Sequence, residues 1–230
     1  MAAAVETTRS RAPQRIVRDA VGIGLAVGVY AVSFGVLAVA AGLSAAQACV
    51  MSMLVFTGAS QFAFVGVLAG GGGALAAFGP AVVLAARNAA YGLSLAPILR
   101  GRLPQRALAA QLVIDETTAM ARAQDEPAAA RRAFYATGVS VWVCWNLGTL
   151  VGALLGSGLG DPRTLGLDAM FPAAFLALLA PQLRRPGAPA AAIGAVIALA
   201  LVPFAPAGVP VIAALAGVVP GVLVARGVRA

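Results

Sequence analysis

An all-α, polytopic transmembrane helix bundle of six to eight membrane segments, with one or more broken helices, is the fold class this sequence predicts. Three observations predict it. Of the 230 residues, 61% are hydrophobic and only 10% are charged, against about 25% charged in soluble domains. No charged residue occurs from Ala20 to Ala86. Polar side chains nevertheless intrude into several of the apolar runs, which suggests interrupted helices that line a cavity.

Along the chain, residues 1–19 form a basic segment with Arg9, Arg11, Arg15 and Arg18, and residues 20–226 read as one transmembrane domain. The first apolar run reaches about Gly42. Its AVA at 38–40 imitates a signal-peptidase site, but the run exceeds the roughly 7–15 residues of a signal h-region, so it reads as a membrane helix with its basic flank in the cytoplasm. Further apolar segments lie at about 47–69, 74–99, 107–121, 133–158, 169–183, 188–204 and 208–225. Gly70–Gly73 and PFAPAGVP at 203–210 are the turns between neighbours. If all eight cross, Arg131, Arg132, Arg184, Arg185, Arg226 and Arg229 fall in the cytoplasm while Arg100, Arg102 and Arg106 fall outside. Counting 74–99 as a folded-back hairpin and 107–121 as non-crossing leaves six spans and returns those three arginines to the cytoplasm.

The chemistry excluded is broad. Histidine is absent, which removes the ordinary near-neutral proton shuttle, and no HExxH, GxSxG or Walker-type loop occurs. No catalytic residue, metal or cofactor is expected. Cys49 and Cys144 stand alone in apolar segments and read as packing residues. The formal charge of +8 comes from sixteen basic residues, all arginine, spread over short clusters; that pattern suits cytoplasmic loops and the lipid bilayer's headgroups, not nucleic acid. Gly24 and Gly28, and Gly148, Gly152 and Gly156, repeat at four-residue spacing, which lets helix backbones approach closely, within the bundle or in a dimer.

Four polar places mark the candidate site. TGASQF at 57–62 puts Thr57, Gly58, Ser60 and Gln61 inside an apolar run, either as a hydrogen-bonding seam or as a discontinuous helix that receives a polar passenger. Arg87, with Asn88 beside it and Tyr91 a turn later, carries a charge costing roughly 2.5–3.5 kcal/mol at the bilayer centre; it requires a carboxylate, a wet cavity or the interface. Asp115 and Glu116 interrupt the fourth segment, either with Asp115 facing inward and Glu116 water, or with both in a surface loop. Asp168, in LGLDAMFPAAF, is placed to cap a helix start. Trp142 and Trp145 are interfacial anchors or, for Trp145, a cavity wall.

With FTGASQF at 56–62, ARNAAYGLSLAP at 86–97, DET at 115–117 and LGLDAMFPAAF at 165–175, the sequence resembles the AzlC family of branched-chain amino acid permeases from about residue 18 to 226. The resemblance implies export of leucine, valine, isoleucine or related amino acids across the bacterial cytoplasmic membrane, together with a small AzlD-like membrane subunit. Gly58, Ser60, Gln61, Arg87, Asp115 and Asp168 match recurrent family positions, whereas Ala85 and Asn88 replace the family's usual Asn and His or Tyr. For an amino-acid substrate, Arg87 or N–H groups near Gly58 would take the carboxylate. Asp115 or carbonyls near Ser60 would take the ammonium, with Asn88 and Tyr91 nearby and Phe62, Phe64 and Phe171 around the side chain. The competing function is a non-transporting membrane subunit that stabilises or regulates a partner transporter.

Overall fold

A computed structural model describes residues 2–158, 176 and 187–227, and in these the protein is helical without any strand. The helices are α1 (Ala2–Ala40), α2 (Ala45–Val55), α3 (Ala59–Ala69), α4 (Ala74–Ala85), α5 (Arg87–Leu95), α6 (Leu103–Gln111), α7 (Asp115–Arg122), α8 (Pro127–Gly158), α9 (Ala188–Leu201), α10 (Val209–Ala213) and α11 (Val218–Gly227). Among the described residues, three stretches are long and apolar enough to cross a membrane, Pro13–Ala40, Ala74–Leu95 and Pro127–Gly158. The shorter apolar helices are Ala45–Val55, Ala59–Ala69, Ala188–Leu201 and Val209–Val224. The segment expected at 107–121 is not one helix; it divides into α6 and α7.

Helix ends follow local chemistry. Gly42 (φ +93°) and Gly71 (φ +82°) adopt the left-handed conformation, and the next residue's N–H returns to the carbonyl five residues back, Leu43 to Ala38 at 3.1 Å and Gly72 to Val67 at 2.9 Å. Both are Schellman closures, in which glycine escapes the steric penalty of positive φ. The Gly70–Gly73 turn is therefore where the glycine run placed it. Ser44 then starts α2 with a reciprocal cap: its hydroxyl accepts from Gln47 N–H at 3.2 Å, and Gln47 Oε1 accepts from Ser44 N–H at 2.8 Å.

The chain forms two compact units. The first comprises residues 1–39, 43–58 and 85–158, the second 40–42, 59–84 and 159–230. In the first, α1 and α8 meet backbone to backbone. A Cβ added at Gly152 would run into the Val32 carbonyl, one at Gly148 into the Gly28 carbonyl and one at Gly35 into that of Thr149, while one at Gly28 would stand 2.9 Å from Cys144 Cβ. The glycine repeats thus pack within the bundle. A buried hydrogen bond, Ser52 Oγ to Thr149 Oγ1 at 3.1 Å, ties α2 to α8. Leu25, Val29, Leu147, Val151 and Leu154 are exposed on the far faces of α1 and α8, the apolar-outward polarity expected of a lipid-facing bundle. In the second unit the same device recurs: a Cβ at Gly221 would run into Ala190, and one at Gly217 would stand 2.5 Å from Gly194 N.

Candidate functional site

Three interruptions of helical hydrogen bonding meet in the first unit. At the first, α2 stops at Val55, Phe56 leaves helical geometry and Gly58 turns to φ +64°. The carbonyls at the end of α2 lose their helical donors there, and Gln111 replaces two of them: its Nε2 donates to Met53 O at 2.9 Å and to Leu54 O at 3.2 Å. The second is at Ala86, between α4 and α5. The third is Leu112–Ile114, where Ile114 is extended (φ −137°, ψ 177°). Thr117 holds this break: Oγ1 accepts from Ile114 N–H at 3.0 Å and donates to Leu112 O at 2.8 Å. Gly138 of α8 lets Leu112 pack closely against it; a Cβ there would stand 3.0 Å from the Leu112 side chain.

Charge is concentrated where the second and third breaks meet. Arg87, the first residue of α5, places Nη2 2.7 Å from Asp115 Oδ2. Tyr91, one turn further along α5, donates its hydroxyl to Asp115 Oδ1 at 2.5 Å. Both carboxylate oxygens are therefore engaged. Asp115 opens α7, where a carboxylate suits the positive end of the helix dipole. Arg87 follows a one-residue break at Ala86, whose backbone stays helical (φ −57°, ψ −29°), and its charge partner is Asp115. The pair stays accessible, with Arg87 39% and Asp115 43% exposed. Glu116 is half-buried as well, so the expected division into one inward and one water-facing carboxylate does not hold. Beside Arg87, the buried Asn88 Oδ1 finds no hydrogen-bond donor among the described residues, an acceptor left for something else.

The first break has an aromatic wall. Trp145 is 3% exposed; its ring stacks on Phe34 at 5.9 Å between centroids and meets Tyr30 at 6.3 Å. A Cβ on Gly58 would lie 3.7 Å from Trp145 Cη2, so the unwound backbone runs past the indole edge. This removes the interfacial-anchor reading of Trp145. Ser60, Gln61 and Phe62 lie at the start of α3 in the second unit, and all three are buried. Asp168 and Phe171 lie outside the described residues.

The first unit therefore brings together Arg87, Tyr91 and Asp115 by direct contact, with Asn88 adjoining, and links Gly58's break to theirs through Gln111. Sequence reasoning missed Gln111 and Thr117. The signal for Thr117 was its place three residues after the N-cap Ile114, a capping position; Gln111 carried no signal, because its partners lie 57 and 58 residues away.

The family model described as AzlC protein matches residues 22–159. The chain is 32% identical over 210 residues to the inner membrane protein YgaZ of Escherichia coli K12, covering 85% of this chain and 82% of that one. It is 33% identical over 174 residues to an uncharacterized membrane protein of Archaeoglobus fulgidus, covering 74% and 75% of the two chains. No solved structure matches it.

Proposed function

The chain belongs to the AzlC family of membrane proteins, and from that premise we propose that it is a secondary transporter exporting branched-chain or similar amino acids across the bacterial cytoplasmic membrane by alternating access. The observation that carries the proposal is the Arg87–Asp115 pair at a meeting of helix breaks. A zwitterionic amino acid bears the same two charges as this pair. On binding, its carboxylate takes Arg87 and its ammonium takes Asp115, with Asn88 Oδ1 as a further acceptor. On release, the two side chains close on each other again. Neither step leaves an unpaired charge, which in an apolar surrounding is the costly state. Tyr91 keeps the second oxygen of Asp115 in place throughout. The unwound turn at Phe56–Gly58 with Trp145 behind it suits the substrate's backbone and apolar side chain, as discontinuous helices do in other transporters.

The basic N-terminal segment lies in the cytoplasm under this reading, and a small AzlD-like membrane subunit completes the exporter. The test is export of leucine, valine and methionine by cells lacking their own exporters, with and without that subunit. Export of at least one, competed by zwitterionic amino acids and not by the corresponding amine or carboxylic acid alone, is the expected result. A membrane-inserted complex that leaves export of all three unchanged overturns the proposal and favours a non-transporting subunit.

A further inference from the structure

A second charged place lies apart from the Arg87–Asp115 pair, on the hairpin between α5 and α6. A cleft of about 400 Å³ opens there, lined by Arg100, Arg106, Gly92, Ala96, Ala109 and Ala110 among others, with no acidic side chain in its wall among the described residues. Neither arginine forms an ion pair among the described residues. Arg100 and Arg106 line one opening, together with small residues. A phosphate suits such a pair of forked donors better than any neutral group does.

The neighbouring surface selects among phosphates. Leu93 is 79% exposed and Leu108 65% exposed; they adjoin Gly92 on α5 and Ala109 on α6, which line the cleft. Arg102 adds a third cation on the same hairpin. Cations above and bare leucines beside them form the profile of a membrane boundary, where a headgroup and an acyl chain arrive together. We propose that this cleft binds an anionic phospholipid, its phosphodiester held by Arg100 and Arg106 and its chains laid along Leu93 and Leu108.

Purified protein in detergent is titrated with phosphatidylglycerol, with phosphatidylcholine and with inorganic phosphate, following thermal stability and the mass of retained lipid. Phosphatidylglycerol should raise the melting temperature and remain bound at one copy, while phosphatidylcholine does neither. The double variant Arg100→Gln/Arg106→Gln should bind phosphatidylglycerol roughly thirty-fold more weakly, at about a fivefold loss for each cation near an anionic surface. Both side chains are exposed, so the variant retains its packing. The variant Arg131→Gln/Arg132→Gln loses the same charge elsewhere and should bind as the unaltered protein does. Equal loss in the two variants, an unchanged affinity in the first, or full reproduction of the effect by inorganic phosphate would overturn the lipid site.

Discussion

Removing both charges of the Arg87–Asp115 pair should rescue stability and abolish export, and the opposition of those two effects is what separates a substrate site from a structural ion pair. At 2.7 Å the gross Coulomb attraction is about 6 kcal/mol at an effective dielectric of roughly 20. Both side chains are about two-fifths exposed, so the net worth to stability falls to the order of 1 kcal/mol. Arg87→Gln leaves Asp115 with Tyr91 alone, and Asp115→Asn leaves Arg87 facing an amide; each single variant should lose stability on that order. The double variant leaves no unmatched charge and should recover most of the loss, giving a favourable coupling between the positions.

Export should rank the other way. On the proposed function each charge would supply a charge-assisted hydrogen bond to the substrate worth about 1.5–3 kcal/mol, so each single variant should lose roughly ten- to a hundred-and-fifty-fold in kcat/KM. The double variant should be the worst of the three. The assays are thermal melting of purified protein and efflux of preloaded labelled leucine from cells, normalised to the inserted protein. A double variant that exports better than either single variant would show export following stability, and would refute the substrate role of the pair.

Substitutions at four further positions probe the scaffold. Gly58→Ala should lower thermal stability by about 1–2 kcal/mol through the cost of φ +64° for a residue with a Cβ, since the new methyl has ordinary clearance from Trp145; an unchanged melting curve would mean this turn is not held as described. Gly152→Ala should cost about 1–3 kcal/mol by forcing α8 off the Val32 carbonyl. Gly22→Ala, with nothing within 4 Å, should instead be neutral or stabilise by up to about 1 kcal/mol, and equal melting shifts for the two would contradict the α1–α8 packing. Gln111→Glu puts a carboxylate against the Met53 and Leu54 carbonyls it now serves. It should cost about 1–3 kcal/mol and more than Gln111→Ala, as read by chemical denaturation.

The parts of this fold legible in the sequence are those set by short-range rules. Gly70–Gly73 announces a turn because a left-handed closure needs glycine, and the four-residue glycine repeats announce close helix contact because only a missing side chain permits it. The TGAS stretch announces a break for the same local reason. What the sequence concealed depends on distant partners. Leu112–Ile114 is apolar throughout, so its own residues do not mark it as non-helical; Thr117 holds it through Ile114 and Leu112 close by, whereas Gln111 serves the Met53 and Leu54 carbonyls of a distant segment. Trp145 was ambiguous until Tyr30 and Phe34 of α1 supplied its surroundings.

The ion pair itself sharpens the functional argument, because stability gives little reason for it. The scaffold around it is held by means that need no charge: the glycine faces of α1 and α8, the Ser52–Thr149 bond, and the Gln111 and Thr117 caps. Two well-packed apolar side chains in place of an ion pair commonly hold a fold as well or better. Arg87 and Asp115 carry an insertion cost that such a pair would avoid, and they stay accessible where an element of packing would be buried. A group that is costly to place, unneeded for packing and open to exchange is what a zwitterionic passenger requires. The same reasoning extends to Asn88, whose buried acceptor has no donor among the described residues and, on the proposed function, would gain one from the substrate's ammonium group.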